Sequence, residues 1–247
     1  MKEKQEWFET WFDTSYYHML YKNRNDGEAH FFMKNLINYL TIKANSKVLD
    51  LACGKGRHAV FLNQQKLDVV GVDLSGESIV HAKQFENDSL HFDVHDMRVI
   101  YKENTFDYVF NLFTSFGYFK DDNENQKAVS SMEKMLNEKG VLVIDFLNAT
   151  KTINNLVQKE EKLIDGIQFN ISRRVEDGFI VKQIAFTDKG KDFSFEERVK
   201  ALKLKDFQQF FDKTKLELVE VFGNFALEKY EEENSDRLIM ILRKAKV

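Results

Sequence analysis

An acid at the end of an apolar run, followed at once by two glycines, is the most chemically pointed feature of this chain. Lys47-Val48-Leu49-Asp50-Leu51-Ala52-Cys53-Gly54-Lys55-Gly56-Arg57-His58 reads as a strand, a Gly-x-Gly turn and the start of a helix. Glycines there allow a tight turn and let a ligand lie against the backbone beneath a helix N-terminus. Asp73, seventeen residues past Gly56, ends a second apolar run, Val69-Val70-Gly71-Val72. An acid so placed can accept hydrogen bonds from both hydroxyls of a ribose. A third acid, in His95-Asp96-Met97, follows an expected third strand and could accept from an adenine amino group. With Ala59 the turn also fits Gly-x-Gly-x-x-Ala, so a nicotinamide-dependent dehydrogenase competes. Asp50 argues against it, because a pyrophosphate gains nothing from a further negative charge four residues before Gly54.

Asp50-x-x-x-Gly54-x-Gly56, Asp73 and Asp96-Met97 together resemble the successive cofactor motifs of class I S-adenosylmethionine-dependent methyltransferases. Thr105 to Asn111 resembles their fourth-strand motif, and Leu136 to Phe146 their fifth strand with its preceding turn. The likeness is strong over residues 40–150 and looser in the last two strands. It implies S-adenosyl-L-methionine as cofactor, S-adenosyl-L-homocysteine as product, and no metal. It implies a three-layer, Rossmann-like α/β fold whose seven-stranded sheet has the order 3-2-1-4-5-7-6, the last strand antiparallel. By the same resemblance Asp50, Ala52, Gly54 and Gly56 face the methionine part of the cofactor, with Cys53 in the same loop. Asp73 binds the ribose, Leu74 flanks the adenine with Ser75 beside it, and Asp96 with the Met97 backbone holds the adenine edge. Asn111 and Leu112 sit near the methionyl amine. Ala52 stands where such loops often carry glycine, a common departure.

Methyl transfer is an in-line displacement in which the protein supplies orientation and sometimes a base. Tyr118 and His58 are the candidates for the acceptor side. Tyr118 lies in Phe113-Thr114-Ser115-Phe116-Gly117-Tyr118-Phe119, after the fourth strand, on the edge where α/β sheets bind ligands. Phe116 and Phe119 read equally as core packing. His58 opens the helix after the glycine turn, where a locally bonded histidine is the alternative. Tyr17 and Tyr21 could cover a positive sulfonium with their rings or simply pack. Arg24 could pair with the cofactor carboxylate; a surface ion pair is the alternative, and Arg57 competes for the role. Cys53 reads as a small loop residue, since no base stands near it.

The elements that must position these residues follow from periodicity. Ala29, Phe32, Met33, Leu36, Ile37 and Leu40 recur at helical spacing, with Asp26 as N-cap, and the first 45 residues read as helices. From Lys47, strands at Val48–Leu51, Val69–Val72, Tyr108–Leu112 and Val141–Phe146 alternate with helical stretches at Ala59–Leu62, Ile79–Phe85 and Ala128–Leu136. That alternation implies βαβ crossovers and a mostly parallel sheet. Gly140 is expected to cap the helix before the fifth strand. Beyond Asn148, Ile167, Phe169 and Ile171 alternate with polar residues, and strands at Phe179–Phe186 and Phe193–Leu202 are separated by short glycine turns, as in antiparallel hairpins. A short helix around Phe207, Phe210 and Phe211 and strands near Leu216–Phe222 and Leu238–Leu242 follow. The chain thus divides into a helical cover (1–45), a cofactor-binding α/β core (46–150), an antiparallel insertion (151–204) and the C-terminal part of the core (205–247). The insertion is expected to serve as a lid or as an interface in a homodimer.

Composition narrows the partners. The net charge of −4 and the absence of a basic run argue against a dedicated nucleic-acid binder. Arg173-Arg174, Lys200, Lys203 and Lys205 are the concentrations of positive charge to be weighed for RNA, and they are interleaved with Glu176, Glu196 and Glu197. The single cysteine rules out an intrachain disulfide and fits a reducing cytoplasm. Neither a signal-peptide core nor a membrane span is visible. The chain is therefore expected to be a cytoplasmic methyltransferase acting on an N or O atom of a small molecule. A tRNA or protein methyltransferase and a non-catalytic cofactor-binding module are the remaining alternatives.

Overall fold

The central apolar runs lie side by side because they are buried on both faces and carry few polar alternate positions to turn outward. The computed structural model describes residues 7–22 and 26–245. First come α1 (Trp7–Trp11), α2 (Ser15–Leu20) and α3 (Asp26–Leu40). An alternating series follows, with β1 (Lys47–Leu51), α4 (Arg57–Gln64), β2 (Asp68–Asp73), α5 (Gly76–Ala82) and β3 (Leu90–Val94). It continues through β4 (Phe106–Asn111), α6 (Asp122–Met135), β5 (Leu136–Leu147) and α7 (Ala149–Asn154). Four consecutive strands are next, β6 (Lys159–Ile164), β7 (Ile167–Glu176), β8 (Phe179–Asp188) and β9 (Lys191–Lys200). After them stand α8 (Leu204–Phe211), β10 (Leu216–Phe222) and β11 (Arg237–Lys244).

Strands β1 to β5 pair in parallel in the order β3-β2-β1-β4-β5. β11 joins β5 antiparallel, and β10 lies outside it. With the inserted strands set aside, this is the expected order 3-2-1-4-5-7-6. Alternate residues feed opposite layers. Val48, Val69, Val141 and Ile239 pack with α3, α4 and α5, while Leu49, Val70, Leu142 and Met240 pack with α6 and α8. No described helix is long and apolar enough to cross a membrane.

β6 to β9 form a separate antiparallel sheet. Its hairpins turn on Asp165-Gly166, Asp177-Gly178 and Lys189-Gly190, all with positive φ at both residues. Such turns match the twist of the strands they join. The sequence-based expectation had missed β6, because Lys159-Glu160-Glu161-Lys162 is charged and carries no apolar alternation. Ile167, Phe169 and Ile171 of β7 and Ile184 and Phe186 of β8 make one apolar face, which Trp11 of α1 and Leu20 of α2 cover. Polar bonds seal this contact: Glu197 of β9 accepts from Trp11 Nε1 at 2.7 Å and from the Tyr21 hydroxyl at 2.8 Å, and Tyr16 donates to Asp188 at 2.8 Å.

Two local expectations are corrected. Asp26 lies in the first turn of α3, where its carboxylate accepts from Arg57 at 2.8 Å instead of capping the helix. Gly140 does not cap α6, which ends at Met135 with Leu136 already extended. It sits inside β5 at a register shift against β4, where a Cβ would fall 2.8 Å from Leu136 Cδ2 and 3.1 Å from the Phe106 carbonyl oxygen. Close approach, not a left-handed backbone, demands glycine there.

Candidate active site

The first loop leaves β1 in a left-handed path, with φ of 65° at Ala52, 55° at Gly54 and 82° at Gly56. For the non-glycine Ala52 this costs about 1–3 kcal/mol, which explains why glycine suits that position. The offset comes from β2: the amides of Ala52 and Cys53 both donate to the Val72 carbonyl, at 2.8 and 3.0 Å. Gly56 begins α4, and a Cβ there would stand 2.7 Å from the Phe92 ring. The loop is therefore pressed onto the sheet while its outer side stays open at Gly54, where a Cβ would meet nothing within 4 Å.

Asp73 ends β2 and ties the neighbouring turns together. Its Oδ2 accepts from the Gly54 amide at 2.8 Å and its Oδ1 from the Ser75 amide at 2.9 Å. A carboxylate has roughly four acceptor sites, so capacity remains for a ligand's hydroxyls. Burial pushes the Asp73 carboxyl up, against the Ser75 and Gly54 amides that favour its charged form. Ser75 caps α5 through the Ser78 amide and donates to Asp13, which pins the segment between α1 and α2 to the core. Burial would also raise Asp96, but the bonds and charge of Arg98 win and hold it below the usual carboxylate range. Arg98 Nε lies 3.0 and 2.9 Å from the two Asp96 oxygens.

Asp50 and Asn111 lie beneath the loop, at the ends of β1 and β4, with only 2 % and 0 % of their surface exposed. Asn111 Nδ2 donates to the Leu51 carbonyl at 3.1 Å. Asp50 Oδ2 and Asn111 Oδ1 have no hydrogen-bond partner among the described residues. Burial pushes the Asp50 carboxyl up to about 7 and nearby Asp73 adds to this, while the Ala59 amide and Arg57 oppose it. Buried acceptors without donors are costly. A ligand that brings a positive charge over these strand ends would favour the charged Asp50 carboxylate, so the residues fit the methionyl end of S-adenosylmethionine.

The expected site residues converge on one cavity of about 400 Å³. Ala52, Cys53 and Gly54 line it from the first loop, Asp73, Leu74 and Ser75 from β2, Asp96 and Met97 from beyond β3, and Leu112 from beyond β4. Tyr17, His58 and Tyr118 line it as well. Asp50, Gly56 and Asn111 do not reach its wall, and Arg24 lies outside the described residues. The far wall adds Phe8, Phe12, His18 and Tyr21 from the N-terminal helices, none of them except Tyr21 anticipated. Their only sequence signal was the crowding of aromatic residues before Lys22, which has no clear period.

The two acceptor-side candidates are both engaged locally. Arg57, which can only donate, sits 2.9 Å from His58 Nε2, so that ring nitrogen is engaged as an acceptor. The ring also stacks on Phe113 at 4.6 Å. Tyr118 donates its hydroxyl to the Thr114 carbonyl at 2.6 Å and presents its ring to Trp7 at 5.4 Å. This geometry favours walls over bases. Of the five cations weighed for RNA, four are paired: Arg173 with Glu160 at 2.6 Å, Arg174 with Glu176 at 2.9 Å, Lys203 with Glu232 at 3.0 Å, and Lys200 with Asp122. Among the described residues no group of His, Cys, Asp and Glu gathers to hold a metal.

Residues 42–215 match the family described as methyltransferase domain. Over 112 residues the chain is 34% identical to a dTDP-3-amino-3,4,6-trideoxy-alpha-D-glucopyranose N,N-dimethyltransferase of Streptomyces venezuelae, covering 45% of this chain and 46% of that protein. Over 132 residues it is 32% identical to a glycine/sarcosine N-methyltransferase of Aphanothece halophytica, covering 51% and 48%. The chain thus spans about half the length of the curated relatives it matches. An S-adenosylmethionine-dependent methyltransferase of Clostridium acetobutylicum shares the fold, with a TM-score of 0.78 at 19% identity over 93% of this chain and 96% of that one. The dehydrogenase alternative finds no support in these likenesses.

Proposed function

This chain belongs to the methyltransferase-domain family, and from that premise we propose that it transfers the methyl group of S-adenosylmethionine to an amine of a small polar molecule. The observation that carries the proposal is a cavity with two unlike walls. One is polar and made of strand ends, with Asp73 and Asp96; the other is aromatic, with Phe8, Phe12, Tyr17 and Tyr118. About 400 Å³ lies near the low end of the roughly 300–1,000 Å³ of small-molecule pockets. With a cofactor inside, the room left suits a small acceptor better than a nucleic acid or a folded protein. The choice of an amine is supported by two relatives named as N-methyltransferases.

In this reading Asp73 receives the ribose hydroxyls, Asp96 and the Met97 backbone receive the adenine edge, and Ala52 to Gly54 bed the methionine part. Asp50 and Asn111 draw its ammonium down to the strand ends. When bound, the cofactor supplies a methyl carbon on a positive sulfur that departs as a neutral thioether. Tyr17 and Phe12 offer ring faces to positive charge, while Phe113, Ser115 and Tyr118 orient the acceptor and exclude water. The N-terminal helices act as the cover of the site, and the insertion sheet, which contributes no residue to the cavity, supports them from behind.

A panel of glycine, sarcosine and a nucleotide-linked amino sugar, assayed with radiolabelled S-adenosylmethionine, tests the proposal. Label transferred to at least one of these amines is expected. Label that enters only RNA or protein would overturn it.

A further inference from the structure

The turn after β4 holds two consecutive residues with side chains, Phe113 and Thr114, in the left-handed region, at φ of 57° and 61°. For an aromatic residue such a conformation persists only where the surroundings over-determine it. Two residues far along the chain do so. Asp145 of β5 is fully buried. Its Oδ2 accepts from the Phe113 amide at 2.7 Å, and its carbonyl accepts from the Thr114 amide at 3.0 Å. Arg237 closes the other side: Nε donates to Asp145 Oδ1 at 2.8 Å and Nη2 to Thr114 Oγ1 at 2.9 Å. β11 runs antiparallel to β5, so its first residue, Arg237, stands beside Leu147 at the same sheet edge where β4 ends.

The turn lines the cavity beside the residues assigned to the cofactor. Phe113 stacks on His58, the Thr114 carbonyl accepts from Tyr118, and Ser115 follows with its hydroxyl on the Leu112 carbonyl at 2.8 Å. His58, Phe113, Ser115 and Tyr118 all line the cavity, whereas Asp145 and Arg237 do not. A buried ion pair contributes little to stability by itself, since desolvation offsets the attraction. Here Asp145 Oδ2 and Arg237 Nη2 each hold one residue of the strained turn, while Asp145 Oδ1 and Arg237 Nε tie the two side chains to each other.

We propose that Asp145 and Arg237 are positioning residues for the methyl acceptor: their pair holds the Phe113–Thr114 turn so that Phe113, Ser115 and Tyr118 form the acceptor wall. The kinetic part of this inference rests on the amine-methylation reading above, and the conformational part does not.

The test is Asp145→Asn, which keeps the shape but removes the charge, with Arg237→Lys as a second variant that keeps the charge but loses the fork. Hydrogen exchange should quicken by about tenfold or more in amides 113–119, as expected for loss of a charge-assisted hydrogen bond. Amides 52–56 and 73–75 should be unchanged, and calorimetric affinity for S-adenosylhomocysteine should stay within about twofold. For whichever amine of the panel accepts the methyl group, KM should rise roughly ten- to a hundredfold while kcat stays within about threefold. Uniformly faster exchange across the core, or unchanged exchange at 113–119 in both variants, would make the pair a plain stability element and overturn the proposal. Should no amine be methylated, the amine reading fails separately, and the exchange pattern still decides the role of the pair.

Discussion

A carboxyl group with one oxygen unbonded and buried is held in waiting for a donor, and Asp50 is such a group. Its folded pKa of about 7 stands above the ordinary 3.8, so the unfolded chain gives up this proton first. The sign follows: Asp50 contributes stability that is full below pH 3.8 and is lost as pH rises through about 7. Binding turns the same shift into a signature. An ammonium brought to the strand ends favours the charged carboxylate, so below about pH 7 binding must expel the proton. Calorimetric affinity for S-adenosylhomocysteine is therefore expected to climb between pH 6 and 8 and then level off, with proton release on the acid side. Asp50→Asn should flatten that profile. A wild-type affinity independent of pH would show that Asp50 does not meet the amine.

Among elements, the unexpected partnership is between the N-terminal helices and the insertion sheet. Trp11, 1 % exposed, fills the apolar face that Phe169, Ile184 and Phe186 present, and its indole N–H reaches Glu197. The contact forms a third apolar cluster, apart from the two layers that flank the main sheet. Removing a buried Trp costs about 3–5 kcal/mol through lost burial and a cavity. Trp11→Ala should lower the urea midpoint and loosen the cover, so S-adenosylhomocysteine should bind several-fold more weakly while the α/β core keeps its circular dichroism. Unchanged affinity in a variant destabilised to this extent would separate the cover from the cofactor site. The same contact makes the sheet poorly removable, because a short linker in its place would leave Trp11 and Leu20 bare.

At the scale of the whole molecule, binding and folding are linked. A ligand at a hundredfold excess over its Kd adds about 2.7 kcal/mol to the native state. For a chain of this size that is roughly 5–10 °C in Tm. S-adenosylhomocysteine is expected to produce such a shift and NAD at equal concentration none; the reverse ranking would contradict the cofactor. The surface adds no strong field to attract phosphates, since the net charge is −4 and Arg173, Arg174 and Lys203 are matched by acids.

The fold of residues 47–112 was legible because its signals are local. Apolar runs, a glycine turn and an acid at a strand end each act over a few residues, and their spacing specifies a βαβ series whatever else the chain does. The two anticipated hairpins, with Asp177-Gly178 and Lys189-Gly190, were legible for the same reason: two residues decide the turn. Tertiary structure alone decided which surfaces meet. Trp11 and Glu197, 186 residues apart, carry no pattern that pairs them. Arg237 reaches the Phe113–Thr114 turn only because an antiparallel β11 returns its first residue to the ligand-binding edge. Asp50 and Asn111 were assigned from the resemblance to the cofactor's methionine end, but that they lie beneath the cavity wall with oxygens unpaired depends on packing from α4 and the neighbouring strands. Periodicity says that a face is apolar; only the assembled layers say what covers it, because burial is a property of contacts between elements and not of any one of them.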